Sequence, residues 1–163
     1  METNVVITAD TIQASSAEIE DLVAEYNLHT RDAAKDQPPF DWDWETFTRL
    51  EQLGRTLLIT ARTGDDRYLI GYSLYLLSHH PHHRSWRLAM NDGIAVRHDY
   101  RGRGLGSAMM IVGEQLLREM HVHRIIHMFR MVYEDATPIF PRHGYKLFEL
   151  AWAKDLSPQI QEK

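Results

Sequence analysis

Apolar and β-branched residues gather in "NVVITA" (residues 4–9), which predicts a first strand. The period then changes. In "SSAEIEDLVAEYNLHTRDAA", Ile19, Leu22, Val23 and Tyr26 recur at helical spacing, so residues 15–34 are predicted as a helix. Ser15 or Ser16 is its candidate cap, and Glu18 and Glu20 suit its first turn. Pro38 and Pro39 break it, and a second short helix is predicted over 44–53, closed by Gly54. "TLLITAR" and "RYLIGYSLYLLS" flank the turn "TGDD" and read as an antiparallel hairpin. "HHPHHRS" reads as a loop, and "WRLAMNDGIAVR" as the returning strand, with Gly93 a candidate bulge.

A glycine-rich stretch then leads into a helix reaching about Met120, with Leu105, Met109, Val112 and Leu116 on one side. A strand over 124–130, a short helix over 134–142 and a last strand over 145–156 complete the pattern. The order β-α-α-β-β-β-α-β-α-β implies an α/β (α+β) chain. At 163 residues it suits a single domain over 1–163, with residues 1–3 and 158–163 as frayed tails.

Composition narrows the function classes. No apolar run is long enough for a bilayer, and Met1 leads into no secretory signal. Cysteine is absent, which excludes disulfides, thiol nucleophiles and cysteine–zinc sites. These features fit a cytoplasmic chain. The net charge of -5 argues against a nucleic-acid partner. Against that acidic body, Arg97, Arg101 and Arg103 stand together and point to a local anionic ligand.

Those arginines lie in "VRHDYRGRGLGSAMM". A strand, a glycine-rich loop and a helix start make an anion cradle, because first-turn amides lack intrahelical partners and glycine permits positive φ. A P-loop is excluded, since no Lys follows the glycines. A dinucleotide fingerprint is excluded too: Gly102, Gly104 and Gly106 are spaced by two, and the loop comes late, after antiparallel strands. The segment Arg101-Gly102-Arg103-Gly104-Leu105-Gly106 matches R/Q-x-x-G-x-G/A. On this motif the chain resembles the GNAT superfamily of acyl-CoA-dependent N-acyltransferases. "EDATPIFPRHGYKLFELAWAKDL" resembles that family's closing segment through Ala136, Phe140 and Gly144-Tyr145.

The resemblance implies a mixed, mostly antiparallel sheet flanked by helices, acetyl-CoA or another acyl-CoA as co-substrate, no metal, and a primary amine as acceptor. It implies that backbone groups of Ile94, Ala95 and Val96 pair with the pantetheine arm. Amides from Arg101, Gly102, Arg103, Gly104, Leu105, Gly106 and Ser107 would hold the pyrophosphate. The Arg101 and Arg103 side chains either reach phosphate or brace the loop. Asp92, nine residues before Arg101, is the candidate base. Phe140 occupies the position where many members carry an acidic Tyr, and Tyr133 is the nearest substitute. A protein that binds coenzyme A without turnover is the alternative. Homodimers are common in the superfamily. The run from the histidines to the closing segment also resembles small GNAT proteins of tailed phages and prophages.

Two further stretches bear on the acceptor. His79, His80, His82 and His83 lack fixed metal-ligand spacing, so a metal is not expected. His82 and His83 are candidate acceptor contacts, or a solvated loop. "FDWDWE" interleaves Phe40, Trp42 and Trp44 with carboxylates. Trp42 is a candidate wall for a cationic amine, or a core anchor.

Overall fold

A computed structural model describes residues 4–29, 40–128 and 138–148, with side chains of the first segment described to residue 26. The chain divides into two units, Met1–Tyr133 and Glu134–Lys163. In the first, the strands are β1 (Val5–Asp10), β2 (Thr56–Thr63), β3 (Leu69–His80), β4 (His83–Val96) and β5 (Arg124–His127). They form one sheet in chain order; every neighbouring pair is antiparallel except β4 and β5, which run parallel. Helices α1 (Ile12–His29), α2 (Trp44–Gln52) and α3 (Leu105–Glu119) belong to this unit. Among the described residues no helix is long and apolar enough to cross a membrane.

The sheet is apolar on both faces. On one, Ile12, Ile19, Leu22 and Val23 of α1 pack on Leu58, Leu69, Tyr72, Leu74 and Ala95. On the other, Met109 and Leu117 of α3 pack on Ile59, Ala61, Ile70, Tyr75, Leu77 and Ala89. Strict alternation would put Leu69 and Tyr72 on opposite faces. They share one because Ala61 pairs with Gly71 and Arg62 with Leu69, which leaves Ile70 as an extra residue and flips the alternation.

Helix α1 begins three residues before the expected cap. Thr11 starts it: its Oγ1 accepts from Ala14 N at 3.3 Å, and Glu51 Oε1 of α2 accepts from Ile12 N at 2.8 Å. Ser15 is fully buried and does other work. Its hydroxyl donates to Asp10 Oδ2 at 2.9 Å and accepts from Arg62 Nη2 at 3.1 Å. Arg62 also makes a two-pronged bond to Glu18, at 2.9 and 2.7 Å. The β3–β4 connection is tighter than the expected loop, because His80 pairs directly with His83 across the Pro81–His82 turn.

Arg97 is not available to an anion, contrary to the expectation from its clustering. It is 6% exposed. Its Nε donates to Leu69 O at 2.8 Å, and its Nη atoms donate to Glu25 at 2.5 Å and Asp21 at 2.6 Å. The guanidinium also covers the Tyr68 ring at 4.4 Å. It ties α1 to the end of β4. The second unit contains α4 (Ile139–Arg142), and beside it Phe140 meets Tyr145 edge-on at 5.9 Å. Of the expected last strand, residues 149–156 lie outside the described residues, and 145–148 are not in a strand.

Arg97→Met removes a buried charge-assisted cluster whose acidic partners stay partly solvated, so we expect it to lower the unfolding free energy by about 2 kcal/mol. Urea denaturation measures this, and an unchanged midpoint would show that the cluster does not hold α1 to the sheet.

Candidate functional site

The register of β4 changes at Asp92. Leu74 pairs with Gly93 and Tyr75 with Asn91, so Asp92 is left over. It is the residue of a β-bulge. Before it, Ala89 faces α3; after it, Ala95 faces α1. The bulge therefore turns the strand over midway. The expected bulge lies here, with Asp92 as its unpaired residue and Gly93 beside it.

Asn91 clamps the turn-over from inside. The buried side chain sends Nδ2 toward Ser73 Oγ at 3.0 Å, Leu74 O at 3.0 Å and Gly93 O at 3.3 Å. Gly93 has a packing reason as well: a Cβ there would stand 3.0 Å from the Tyr72 hydroxyl. Asp92 is exposed, yet burial of its surroundings raises its carboxyl pKa above the ordinary value. Desolvation likewise raises Tyr72, and the Asp92 charge adds to it, so this phenol stays protonated.

The pairing of β4 with β5 covers Leu88 to Asn91 and stops at His127. From the bulge onward β4 keeps only its β3 side. Residues Gly93 to Val96 pair with Leu74 to Gly71, and among the described residues no strand pairs with their other edge. That edge carries the expected cofactor residues Ile94, Ala95 and Val96. A backbone edge of this kind suits an extended, amide-bearing ligand.

Arg97 and a short turn, His98–Tyr100, connect β4 to the glycine loop. Gly102 has φ 72° and Gly104 has φ 78°. A Cβ at either would meet nothing within 4 Å, so positive φ rather than crowding requires glycine. Gly104 is the N-cap of α3, and the first intrahelical bond runs from Ala108 N to Gly104 O. The amides of Leu105 and Gly106 precede that bond, at the positive end of the helix. The two loop arginines brace rather than reach. Arg101 Nε donates to Val96 O at 2.9 Å, and its guanidinium covers the Tyr26 ring at 4.9 Å. Arg103 Nη2 donates to Asp99 O at 2.8 Å, and its guanidinium stands 5.4 Å from the Tyr100 ring centre.

Trp42 is stacked between Phe40, at 5.3 Å, and Trp44, at 4.7 Å. With Trp44 and Phe47 it packs on the α1-face cluster that contains Tyr72, so it stands on the sheet face where Tyr72 meets Gly93. Of the two interleaved acids, Asp43 caps α2: Oδ1 accepts from Thr46 N at 2.9 Å. Asp41 remains exposed. The histidine pair lies elsewhere. His82 and His83 sit at the β3–β4 turn, where His80 and His83 are 4.7 Å apart, ring to ring. Measured along the regular partner strand, the His80–His83 pair is five residues of β3 from the Tyr75–Asn91 pair, so the turn lies roughly 15–20 Å from Asp92 at the usual strand rise. Trp86, His123 and Arg124 stack at the same end. Among the described residues no group of three or more acids and histidines is arranged to hold a metal. Tyr133 lies outside the described residues.

Comparison with known proteins agrees with this layout. The family model described as acetyltransferase (GNAT) family matches residues 19–145. No curated protein matches the chain significantly. Among solved structures, a ribosomal-protein-alanine N-acetyltransferase from Brucella melitensis biovar Abortus 2308 is 21% identical, with a TM-score of 0.70, covering 94% of this chain and 100% of the other. A transcriptional regulator from Bacillus halodurans C-125 is 17% identical, with a TM-score of 0.75 and coverage of 94% and 100%. An aminoglycoside acetyltransferase from an uncultured soil metagenomic sample is 13% identical, with a TM-score of 0.72 and coverage of 94% and 97%. At these identities the likeness is one of fold.

Asn91→Leu leaves the acceptors around the bulge without their donor. We expect a loss of about 1–3 kcal/mol in unfolding free energy, read by urea denaturation. Wild-type stability would mean that the carboxamide does not hold the bulge.

Proposed function

The chain belongs to the acetyltransferase (GNAT) family, and from that premise we propose that it transfers an acetyl group from acetyl-CoA to a primary amine within a ternary complex. The observation that carries the reading is the Asp92 bulge. It puts a carboxylate of raised pKa at the start of a β4 edge that no strand among the described residues pairs with, and whose far end leads into the Gly104 helix cap. On the edge at 94–96, Ile94 and Val96 offer backbone partners to the amides of pantetheine, Val96 O already accepting from Arg101 Nε. Ala95, in step with the Arg97 N–H that bonds Ile70 O, turns its backbone groups toward β3. The amides from Gly102 through Ser107 face the pyrophosphate. The Arg101 amide, expected among them, instead donates to His98 O at 3.1 Å and closes the preceding turn, while the Arg101 and Arg103 side chains hold the loop in shape. The β4 edge and the positive-φ glycines therefore fit coenzyme A.

Asp92 takes the proton of the attacking amine, directly or through one water. A raised pKa suits this, because a stronger base accepts the proton more readily. Phe40, Trp42 and Trp44, with exposed Asp41, favour a cationic amine at the α1 face. Contact of His82 or His83 with the acceptor requires an acceptor long enough to span β4. Tyr133 is the candidate acid for the departing thiolate among the tyrosines near the closing segment. We also read the chain as a single cytoplasmic domain, resembling the small phage-encoded members of the family, with a homodimer as the expected assembly. A second reading rests on Phe140, which has no hydroxyl to offer a departing thiolate: coenzyme A binding without turnover.

Isothermal calorimetry with coenzyme A, followed by thiol release from acetyl-CoA across a panel of amines, separates these readings. Heat of binding with turnover supports the transferase. Binding without turnover for every amine supports the second reading, and no binding removes both. A side chain at φ 78° costs about 1–2 kcal/mol, so Gly104→Val should weaken coenzyme A binding roughly tenfold. Equal affinity would contradict the loop assignment.

Asp92→Asn should lower kcat/KM by about 10²-fold or more while leaving coenzyme A affinity near wild type. In wild type, kcat/KM should rise with pH as the carboxyl ionises, with a midpoint above the ordinary carboxylate value. The sign for stability is the reverse. A folded-state pKa above the unfolded one means that stability falls as pH rises through it. Asp92→Asn should therefore melt at or above the wild-type temperature at pH 7, with the difference gone in acid. A variant that is both active and less stable would contradict the assignment.

A further inference from the structure

Three side chains stand in a row across β3, β4 and β5. Tyr75 pairs with Asn91 in the antiparallel register, and Asn91 pairs with His127 in the parallel one. Paired residues share a face, so all three point to the α3 side. His127 meets the Tyr75 ring edge-on, with centroids 6.0 Å apart. Tyr75 is fully buried, and its hydroxyl stands 3.0 Å from where a Cβ on Gly113 would lie. His127 is also the last residue of β5, at the fork where β4 turns over and leaves its partner. A ligand lying along residues 93–96 and running toward Asp92 reaches the fork at this imidazole.

Resting on the acetyltransferase reading, we propose that His127 is a catalytic residue that meets the sulfur end of bound coenzyme A and donates an N–H hydrogen bond to the departing thiolate. In the transfer the amine nitrogen forms the new bond to the acyl carbon and the C–S bond breaks. The electron pair leaves on sulfur, and the amine's proton passes to Asp92. The thiolate is protonated afterwards by solvent, and His127 keeps its own proton throughout. With Phe at position 140, the sequence lacks the hydroxyl that the family resemblance would assign to this role.

The surroundings suit a donor that stays neutral. Burial pushes the His127 pKa down to about 4, against an opposing pull from the Glu114 charge on α3. Glu114 is engaged with Arg118 at 2.9 Å. The Tyr75 phenol is raised by burial and stays protonated. At neutral pH the imidazole is thus uncharged, and its N–H polarises sulfur without a proton having to move.

The test follows the His127 Cε1–H resonance by NMR, assigned with His127→Asn, during titration with coenzyme A and with adenosine 3′,5′-bisphosphate, which lacks the pantetheine arm. Coenzyme A should shift it, while the bisphosphate shifts only amides of the glycine loop. If coenzyme A moves the loop amides and leaves His127 in place, the assignment is overturned although the cofactor reading stands. If coenzyme A moves neither, the cofactor reading fails and this inference with it. In kinetics, His127→Leu should lower kcat by about 10²-fold, with KM for acetyl-CoA little changed. His127→Asn, which keeps an N–H donor, should recover most of the loss. Equal activity in Leu and Asn variants would overturn the donor role.

Discussion

One surplus residue in β4 governs the layout of the first unit. With Asp92 unpaired, the strand turns over, and its odd-numbered positions pass from the α3 face to the α1 face. Its pairing with β5 stops at the same point. A regular strand would continue beside β5 and satisfy its backbone on both edges. The bulged strand keeps one edge paired with β3 and, among the described residues, no strand pairs with the other. A carboxylate sits at the head of that edge and a helix N-terminus at its foot, and the proposed function rests on this order of elements along one strand.

Such a site is built against local preference, and the rest of the unit supports it. Asp92 carries a desolvated charge, and Gly102 and Gly104 hold a left-handed backbone. Around them the polar groups are bonded. Asn91 ties the bulge to β3, Arg97 ties β4 to α1, and Arg101 and Arg103 fold back onto the carbonyls of Val96, at the end of β4, and Asp99. The loop cations thus shape the cradle, and the backbone amides are what it offers to an anion. Arg62 does the same for the start of α1, joining Asp10, Ser15 and Glu18.

Much of this was legible in the chain itself. Apolar periodicity located the strands and helices of the first unit to within a few residues, and the spacing of Gly102, Gly104 and Gly106 marked the loop and its family. The bulge was legible in the neighbourhood of Gly93. What periodicity cannot carry is pairing at a distance. Ser15 has the residue type of a cap but is drawn into the core by Arg62, which lies 47 positions away. Arg97 has the company of an anion site but pairs with α1. Ile70 flips the alternation of β3 beside Gly71, a glycine that the apolar run around it masks as a bulge signal. His127 reads from the sequence as a histidine inside an apolar strand, cleft-facing or core; its place at the fork emerges from the register of three strands. The histidines at 79–83 were conspicuous, yet five residues of β3 separate their turn from the Tyr75–Asn91 pair at the bulge.

The most direct measurement is amide hydrogen exchange with and without coenzyme A. The account predicts slowed exchange in two stretches at once, residues 93–96 of β4 and residues 103–106 of the loop, with the β1–β2 pairing unchanged. Protection of the loop alone, or of neither stretch at saturating coenzyme A, would contradict the claim that the bulge opens β4 to the cofactor.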